Sequence, residues 1–183
     1  LTVENGSPFD PVGAARRLVL VGGLDGNPDS ARVVLDAVRW FKTTASDGDR
    51  ARWTVSALPL ADPGGAGRAR PYQFPPTEGF FDDPDRPESH YVWRWVRYQA
   101  PDLVAVVSAG QTLRVLSASD AEVDRPAGQL VAALASPPGR TGLGPVEAVQ
   151  VTARASDGAA LMRDLLGRWP AEPSPLRQAI ADR

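Results

Sequence analysis

A buried-strand pattern that runs directly into a glycine-rich turn and a helix signal restricts the fold more than any other part of the sequence. Residues 18–21 are consecutive apolar residues, which is typical of a strand buried on both faces. The glycines of residues 22–26 permit a tight turn, and Asn27 is suited to cap a helix that begins at Pro28. Apolar residues at helical spacing follow at Val34, Ala37, Val38 and Phe41. The segment therefore predicts a strand, a loop and a helix, with a ligand site at the carboxyl end of a parallel strand.

The rest of the chain repeats this alternation of strand and helix patterns. Further strands are predicted at residues 53–58, 103–107 and 146–151. Helices are predicted at residues 87–99, 128–135 and 157–169. Residues 43–50 are interpreted as a polar turn, and the weak periodicity of residues 111–125 allows no firm prediction. The alternation predicts an α/β fold with right-handed crossovers and a mostly parallel sheet covered by helices on both faces.

The length of 183 residues predicts one domain that spans residues 1–183. Residues 1–15 are interpreted as an extended lead-in. A loop rich in proline and glycine is predicted over residues 61–87, and loops of this length are usually functional or disordered. Aromatic residues are interspersed in this loop at Tyr72, Phe74, Phe80 and Phe81. We therefore expect the loop to pack on the body of the domain.

Charge and composition exclude several classes of function. The formal net charge is −2, Lys42 is the only lysine, and no basic stripe alternates with aromatic residues, so we expect no nucleic-acid partner. No apolar run approaches the roughly 18 residues of a membrane span. The lack of cysteine removes disulfides, thiolate catalysis and zinc–thiolate sites. Because the chain begins at Leu1 rather than Met, we interpret it as a processed or trimmed product, and we favour an exported or periplasmic location over a cytoplasmic one.

Five short motifs follow one another between residues 22 and 108. They are Gly22-Gly23-Leu24-Asp25-Gly26-Asn27-Pro28, Ala61-Asp62-Pro63-Gly64-Gly65, Pro71-Tyr72-Gln73-Phe74-Pro75, Pro87-Glu88-Ser89 and Pro101-Asp102-Leu103-Val104-Ala105-Val106-Val107-Ser108. The series resembles the zinc carboxypeptidase superfamily, which includes succinylglutamate desuccinylase and aspartoacylase relatives. In that family the first motif reads Gly-Gly-x-His-Gly-Asn-Glu and supplies two zinc ligands, and the last motif ends in the histidine that is the third ligand. The resemblance implies a reduced carboxypeptidase-like fold of the phosphorylase/hydrolase-like kind.

The positions that hold zinc in that family are changed in this chain. The resemblance places Asp25, Pro28 and Ser108 at the three ligand positions. A catalytic zinc needs about three protein ligands that offer nitrogen, oxygen or sulfur atoms. The side chain of proline has no such atom, and serine is a poor zinc ligand. We therefore expect no metal and no cofactor.

The resemblance also identifies the positions for substrate binding and for the general base. Tyr72 stands where the family has an arginine that binds the substrate carboxylate, although Arg68 or Arg70 lies close enough in the sequence to replace it. The general-base glutamate is expected near the end of the fourth strand, where the candidates are Gln150 and Thr152. Neither of these side chains acts as a base. Zinc-assisted hydrolysis is therefore not expected.

Asp25, His90 and Ser108 each allow a structural as well as a functional interpretation. Asp25 in a glycine-rich turn is typical of a turn former, and the functional alternative is a polar contact in a cleft. His90, the only histidine, is interpreted as a surface or partly buried residue of a helix. A nucleophilic pair of Ser108 and His90 is disfavoured because Val-Val-Ser-Ala-Gly is not a nucleophile elbow, and no triad geometry follows from the sequence.

The acidic and aromatic residues on either side of residue 87 are interpreted in structural terms. Asp82, Asp83 and Asp85 lack the regular ligand spacing and the glycine of a calcium loop, so a solvated acidic loop is preferred over a calcium site. Trp93 and Trp95 cannot both face the core from one helix, because residues two apart point about 200° apart. We expect one of them to lie under the aromatic loop or at a contact surface.

A non-catalytic role is the function that these observations favour. We expect a carboxypeptidase-like pseudoenzyme that keeps a cleft at the ends of its strands, here named the strand-end cleft. Its predicted lining residues are Leu24, Asp25, Asn27, Arg70, Gln73, Ser108 and Gln111. The expected partner is a peptide-like or small polar ligand, or another domain of a larger protein. The alternative is an active metallo-carboxypeptidase or amidohydrolase-type hydrolase whose metal ligands lie elsewhere.

Overall fold

The alternation of strands and helices is present in the computed structural model, which describes residues 15–64, 74–76, 87–136 and 144–169. The strands are β1 (Arg16–Gly22), β2 (Trp53–Leu58), β3 (Leu103–Ala109), β4 (Arg114–Ser117) and β5 (Glu147–Ala153). The helices are α1 (Pro28–Thr43), α2 (Asp47–Arg52), α3 (Pro87–Tyr98), α4 (Pro126–Ala135) and α5 (Gly158–Arg168), with a short 3-10 turn at Ala118–Asp120. The predicted lead-in at residues 1–15 and the predicted loop at residues 61–87 lie mostly outside the described residues.

The five strands form one sheet in the order β2-β1-β3-β5-β4. β1 pairs in parallel with β2 and with β3, and β3 pairs in parallel with β5. β4 is antiparallel to β5 at the edge of the sheet. The register of β1 places Leu18 between Val55 of β2 and Leu103 of β3. The predicted α/β fold with a mostly parallel sheet is confirmed, and so is the parallel pairing of the first and third predicted strands.

Side chains of successive strand residues pack into separate cores on the two faces of the sheet. Leu18 and Leu20 of β1 face α1 and α5, whereas Val19 and Val21 face α3 and α4. All four side chains are buried, which explains why the strand is an unbroken apolar run in the sequence. The predicted coverage of both faces by helices is confirmed.

Most element boundaries agree with the sequence predictions to within two residues, but two stretches differ. The predicted polar turn at residues 43–50 is wrong, because α1 continues to Thr43 and α2 already begins at Asp47. Ser46 starts this short helix, since its hydroxyl accepts a hydrogen bond from Asp49 N at 3.0 Å. The second stretch, residues 111–125, contains β4. This strand has four residues and none of them is buried, so it leaves no periodic signal in the sequence.

Helix α3 carries a tryptophan on each side of its buried stripe. Val92 and Val96 are buried in the core below the helix, and Trp93 and Trp95 are half-buried at its flanks. The ring of Trp93 stacks on Phe74, with the ring centroids 6.4 Å apart. This contact confirms that one tryptophan lies under the aromatic loop and that the loop packs on the body at Phe74. The other aromatic residues of the loop lie outside the described residues: Tyr72, Phe80 and Phe81.

No helix in the described part of the chain is long and apolar enough to cross a membrane.

Candidate functional site

The carboxyl ends of β1 and β3 form the topological switch point of the sheet. From β1 the chain crosses to β2 on one side, and from β2 it returns to β3 on the other side of β1. Open α/β sheets bind their ligands in the crevice at such a point. Gly22 is the register partner of Val107, so the turn after β1 begins beside Ser108, which still pairs with Thr152 of β5. The predicted strand-end cleft is therefore expected where sheets of this class bind ligands.

The turn between β1 and α1, residues 23–27, is built on two glycines in the left-handed region of backbone conformation. Gly23 has a φ of 64° and Gly26 a φ of 68°, values that residues with a side chain rarely adopt. The Gly26 amide donates to the Gly23 carbonyl at 3.2 Å and closes the turn. The predicted tight turn is confirmed, and it is named the β1–α1 turn below.

Gly22 is required by the close approach of the chain that follows β2. A Cβ atom at this position would lie 2.7 Å from the Pro59 carbonyl oxygen. The same chain donates hydrogen bonds from Ala61 N to Gly22 O at 2.9 Å and from Asp62 N to Gly23 O at 3.0 Å. The first sequence motif is therefore fixed directly against the second one.

The polar groups of the β1–α1 turn form hydrogen bonds with one another. Asn27 Oδ1 accepts from the Asp29 amide at 2.9 Å and caps α1, which confirms the predicted cap. Asp25 Oδ1 accepts from the Asn27 amide at 3.0 Å. Ser30 Oγ accepts from the Gly23 amide at 2.9 Å and donates to the Asn27 carbonyl at 2.7 Å. The amides of Gly23, Asn27 and Asp29 thus already have acceptors within the protein.

The positions that the resemblance assigns to zinc ligands do not fit a zinc ion. Pro28 is the first residue of α1, where proline is favoured because the first helical amide has no partner inside the helix. Asp25 is exposed and Ser108 is half-buried. One carboxylate and one hydroxyl do not make the ligand set of a catalytic zinc. In the parts of the chain that the structure describes, no group of three or more His, Cys, Asp or Glu residues is placed to hold a metal ion.

Leu24 does not occupy its predicted place in the cleft, and Ser30 has a role that the sequence did not predict. Leu24 is 2% exposed and packs with the side chains of α3 and α4, so it belongs to the core and does not line the strand-end cleft. Ser30 is not singled out by the sequence analysis, yet it is fully buried and ties the β1–α1 turn to α1. Its signal in the sequence is its spacing, because a serine three residues after a helix cap reaches back to the backbone of the turn.

The chain after β3 crosses over the carboxyl end of β5. Gly110 N donates to Ala153 O at 2.8 Å, and the Gln111 carbonyl accepts a hydrogen bond from Arg154 Nε. Ser108 is half-buried at the end of β3, and the Gln111 side chain is exposed. Ser108 therefore lies in β3 beside β5, and Gln111 lies on a connection that is anchored to β5.

Gln150, one of the two candidate base positions on β5, forms hydrogen bonds that hold another segment of the chain. Gln150 is fully buried; its Oε1 accepts from the Glu122 amide at 2.7 Å, and its Nε2 donates to Glu122 Oε2 at 3.5 Å. Glu122 also pairs with Arg125 at 3.3 Å. Gln150 thus fixes the segment that precedes α4. Thr152 is half-buried. The role of Gln150 is missed in the sequence analysis because Glu122 lies in the stretch without a periodic pattern.

The remaining residues singled out in the sequence are divided between described and undescribed parts of the chain. His90 lies in α3 and is 7% exposed, so it is more buried than the expected surface or partly buried position. The other predicted residues lie outside the described residues: Arg68, Arg70, Tyr72, Gln73, Asp82, Asp83 and Asp85.

Two shifted pKa values lie away from the strand-end cleft. Burial lowers the pKa of the Arg97 guanidinium, which packs 4.7 Å from the centroid of the Trp93 ring. A hydrogen bond from the Ser46 hydroxyl holds the pKa of Asp49 below its ordinary value of 3.8, and Arg52 adds to this effect. Both shifts follow from local packing in α3 and α2.

Comparison with known proteins does not assign the chain to a family. No protein-family model matches it, and no curated protein matches it. The resemblance to the zinc carboxypeptidases therefore rests on the sequence motifs.

Proposed function

We propose that this chain is a non-catalytic binding module on a carboxypeptidase-like scaffold, and that its ligand site is the strand-end cleft. The start of α1 is the observation that carries the proposal. Asn27 caps this helix and Pro28 begins it. The turn that supplies two zinc ligands in the family that the chain resembles therefore has a structural role here. A peptide-like or small polar ligand is the proposed partner.

The position and chemistry of the cleft support ligand binding. It lies at the switch point of the sheet, the usual ligand position in this class of fold. Asp25 is exposed on the β1–α1 turn, Ser108 is half-buried near the end of β3, and Gln111 is exposed on the connection that follows β3. A carboxylate, an amide and a hydroxyl together offer donors and acceptors, and a few such groups are enough to orient a polar ligand.

The segments that we propose to line the cleft are held by hydrogen bonds within the protein. The β1–α1 turn is closed by hydrogen bonds of Asp25 and Ser30. The connection after β3 is bonded to β5 at Gly110 and at Gln111. Groups that are already ordered lose little conformational freedom on binding, which favours affinity.

The groups that hydrolysis needs are replaced at the positions where the resemblance places them. Pro28 offers no metal-binding atom, and the Gln150 amide is bonded to Glu122. An amide does not accept a proton as a general base does. The alternative of an active metallohydrolase therefore requires ligands from other parts of the chain and about one zinc ion per chain.

Titration of 15N-labelled protein with N-acetylated dipeptides, followed by NMR, tests the proposed site. We expect saturable shifts at the amides of residues 25–27 and 108–111. Asp25→Asn keeps the oxygen that accepts from the Asn27 amide but removes the charge, so it should weaken binding of a lysine-containing dipeptide about tenfold. Asp47→Asn is the matched control, because the Asp47 side chain is 99% exposed on α2. Shifts confined to other surfaces, or none that saturates, would refute the proposed site.

Metal analysis separates the binding module from the metallohydrolase. We expect purified protein to hold no stoichiometric zinc. Added zinc should leave the melting temperature unchanged, because only a ligand that prefers the native state stabilises it. About one zinc ion per chain, or a rise of several degrees in the melting temperature, would favour the metallohydrolase.

A further inference from the structure

We propose a second binding site, a pocket against α4 that takes a small planar ligand with one hydrogen-bond donor. The pocket has a volume of about 350 Å³, which is within the range of small-molecule sites in proteins. It is named the α4 pocket, and its lining includes Phe74, Pro75, Val123, Gln129, Ala132 and Ala133. None of these residues belongs to the strand-end cleft, so the two proposals are independent.

Small residues and one aromatic ring give the α4 pocket its shape. Ala132 and Ala133 leave room beside α4 that larger side chains would fill. Val123 is 59% exposed at the pocket. Phe74 supplies a flat ring, and aromatic rings prefer to stack on or meet the edge of another ring. The shape therefore favours a planar apolar ligand.

The Phe74 wall is held in place by α3. Its ring stacks on Trp93, with the centroids 6.4 Å apart. The Arg97 guanidinium packs on the Trp93 ring, 4.7 Å from the centroid, and Arg97 Nη1 donates to the Gly144 carbonyl at 2.8 Å. This series of contacts orders the wall before a ligand binds, and it makes Trp93 a positioning residue for the α4 pocket.

An unpaired acceptor lies next to the α4 pocket. Gln129 lines the pocket, and its Oε1 is buried without a hydrogen-bond donor. The terminal torsion of a glutamine is soft, so this oxygen can turn toward a donor in the pocket. A ligand that supplies an N–H or O–H group removes the cost of an unpaired acceptor and gains a hydrogen bond. The ligand class is therefore a small aromatic ring with one donor, such as an indole or a phenol.

Indole and 1-methylindole are matched probes because they differ in the N–H donor. In NMR titrations of 15N-labelled protein, we expect indole to cause saturable shifts at residues 129–133. We expect 1-methylindole to bind about fivefold more weakly, the effect of one net hydrogen bond. Equal affinities would overturn the role of Gln129, and the lack of saturable indole binding would overturn the pocket itself.

Substitutions in the pocket locate the binding. Ala132→Leu fills the pocket with a good helix former and should weaken indole binding about tenfold or more. Ala51→Leu adds the same side chain at an exposed position of α2 and should leave binding unchanged. Indole binding that survives Ala132→Leu would place the site elsewhere and refute the proposal.

Two further variants divide the roles of the polar group and the wall. Gln129→Leu should make the affinities of indole and 1-methylindole equal, because it removes the acceptor. Trp93→Leu should weaken both probes by the same factor, because it loosens the Phe74 wall without touching Gln129. A Trp93→Leu variant that binds both probes normally would refute the positioning role. The circular dichroism spectrum of each variant must match that of the wild type.

Discussion

The β1–α1 turn and the helices α3 and α4 differ in how completely their buried polar groups are paired. In the turn, Asn27 and Ser30 bond to backbone groups beside them. In α3 and α4, Ser89 Oγ, Arg97 Nε and Gln129 Oε1 are buried without a partner, and no other buried side-chain nitrogen or oxygen in the described ranges is unpaired. Unpaired buried groups destabilise a fold and call for an explanation. The difference teaches that the polar groups of this turn serve the fold, whereas the unpaired acceptor of Gln129 supports the proposed ligand of the α4 pocket.

The largest expected effect tests the close packing around the β1–α1 turn. Gly22→Ala places a Cβ atom 2.7 Å from the Pro59 carbonyl oxygen, so we expect the free energy of unfolding to fall by about 3 kcal/mol. Gly167→Ala on α5 is the control, because nothing lies within 4 Å of its added Cβ. It should raise the free energy of unfolding by about 0.5–1 kcal/mol. Urea unfolding measures both values. A Gly22→Ala variant as stable as the wild type would remove one side of the comparison.

Two buried amides allow a direct test of paired against unpaired groups. Gln150→Leu removes both hydrogen bonds to Glu122. Because the backbone amide of Glu122 then has no acceptor, we expect the free energy of unfolding to fall by about 2 kcal/mol. Gln129→Leu removes an acceptor that has no partner and should raise this free energy by about 1 kcal/mol. The same urea unfolding curves give both changes. If Gln129→Leu is destabilising as well, its amide is paired in solution and the comparison breaks.

The smallest expected effect concerns α2, where side chains at the start of the helix form hydrogen bonds with one another, as they do in the β1–α1 turn. Ser46 Oγ accepts from Asp49 N and donates to Asp49 Oδ2 at 2.6 Å. Because these contacts lower the pKa of Asp49, the carboxylate stabilises the fold above its unfolded-state pKa, near 3.8, and this contribution is lost as the pH falls through the lower folded-state pKa. At pH 7 the free energy of unfolding of the wild type should exceed that of Asp49→Asn by about 0.5 kcal/mol.

Unfolding by urea at a series of pH values checks this titration. The stability difference between wild type and Asp49→Asn should shrink as the pH falls below 3.8, the ordinary pKa of the group. A difference that stays constant down to about pH 2 would show that the charge of Asp49 contributes nothing.

Local patterns in the sequence are sufficient for the elements that form the sheet. The apolar run at residues 18–21 and the Asn27 cap predict β1 and the start of α1, because strand burial and helix capping depend on neighbouring residues. β4 could not be predicted, since its four residues are held by pairing with β5, more than 30 residues away. Strong local signals therefore predict the parallel strands, whereas the edge strand β4 depends on long-range pairing.

The candidate sites also contain features that local sequence predicts and features that depend on distant parts of the chain. The β1–α1 turn is predictable because glycines and a capping residue act locally. The burial of Leu24 depends on α3 and α4, which come much later in the chain. The α4 pocket depends on the contact of Phe74 with Trp93, and no spacing in the sequence indicates that contact. Sequence patterns thus predict a strand-end cleft, and they give no indication of the α4 pocket.

The place of β1 inside the sheet has a consequence for synthesis on the ribosome. β1 lies between β2 and β3, and the hydrogen bond from Arg17 N to Asp102 Oδ2 joins residues 85 positions apart. At typical translation speeds, β1 therefore waits roughly 4–17 s for β3 to be made. During this time one edge of an apolar strand is open to pairing with other chains. The yield of folded protein then depends on the rate of translation as well as on the stability of the finished sheet.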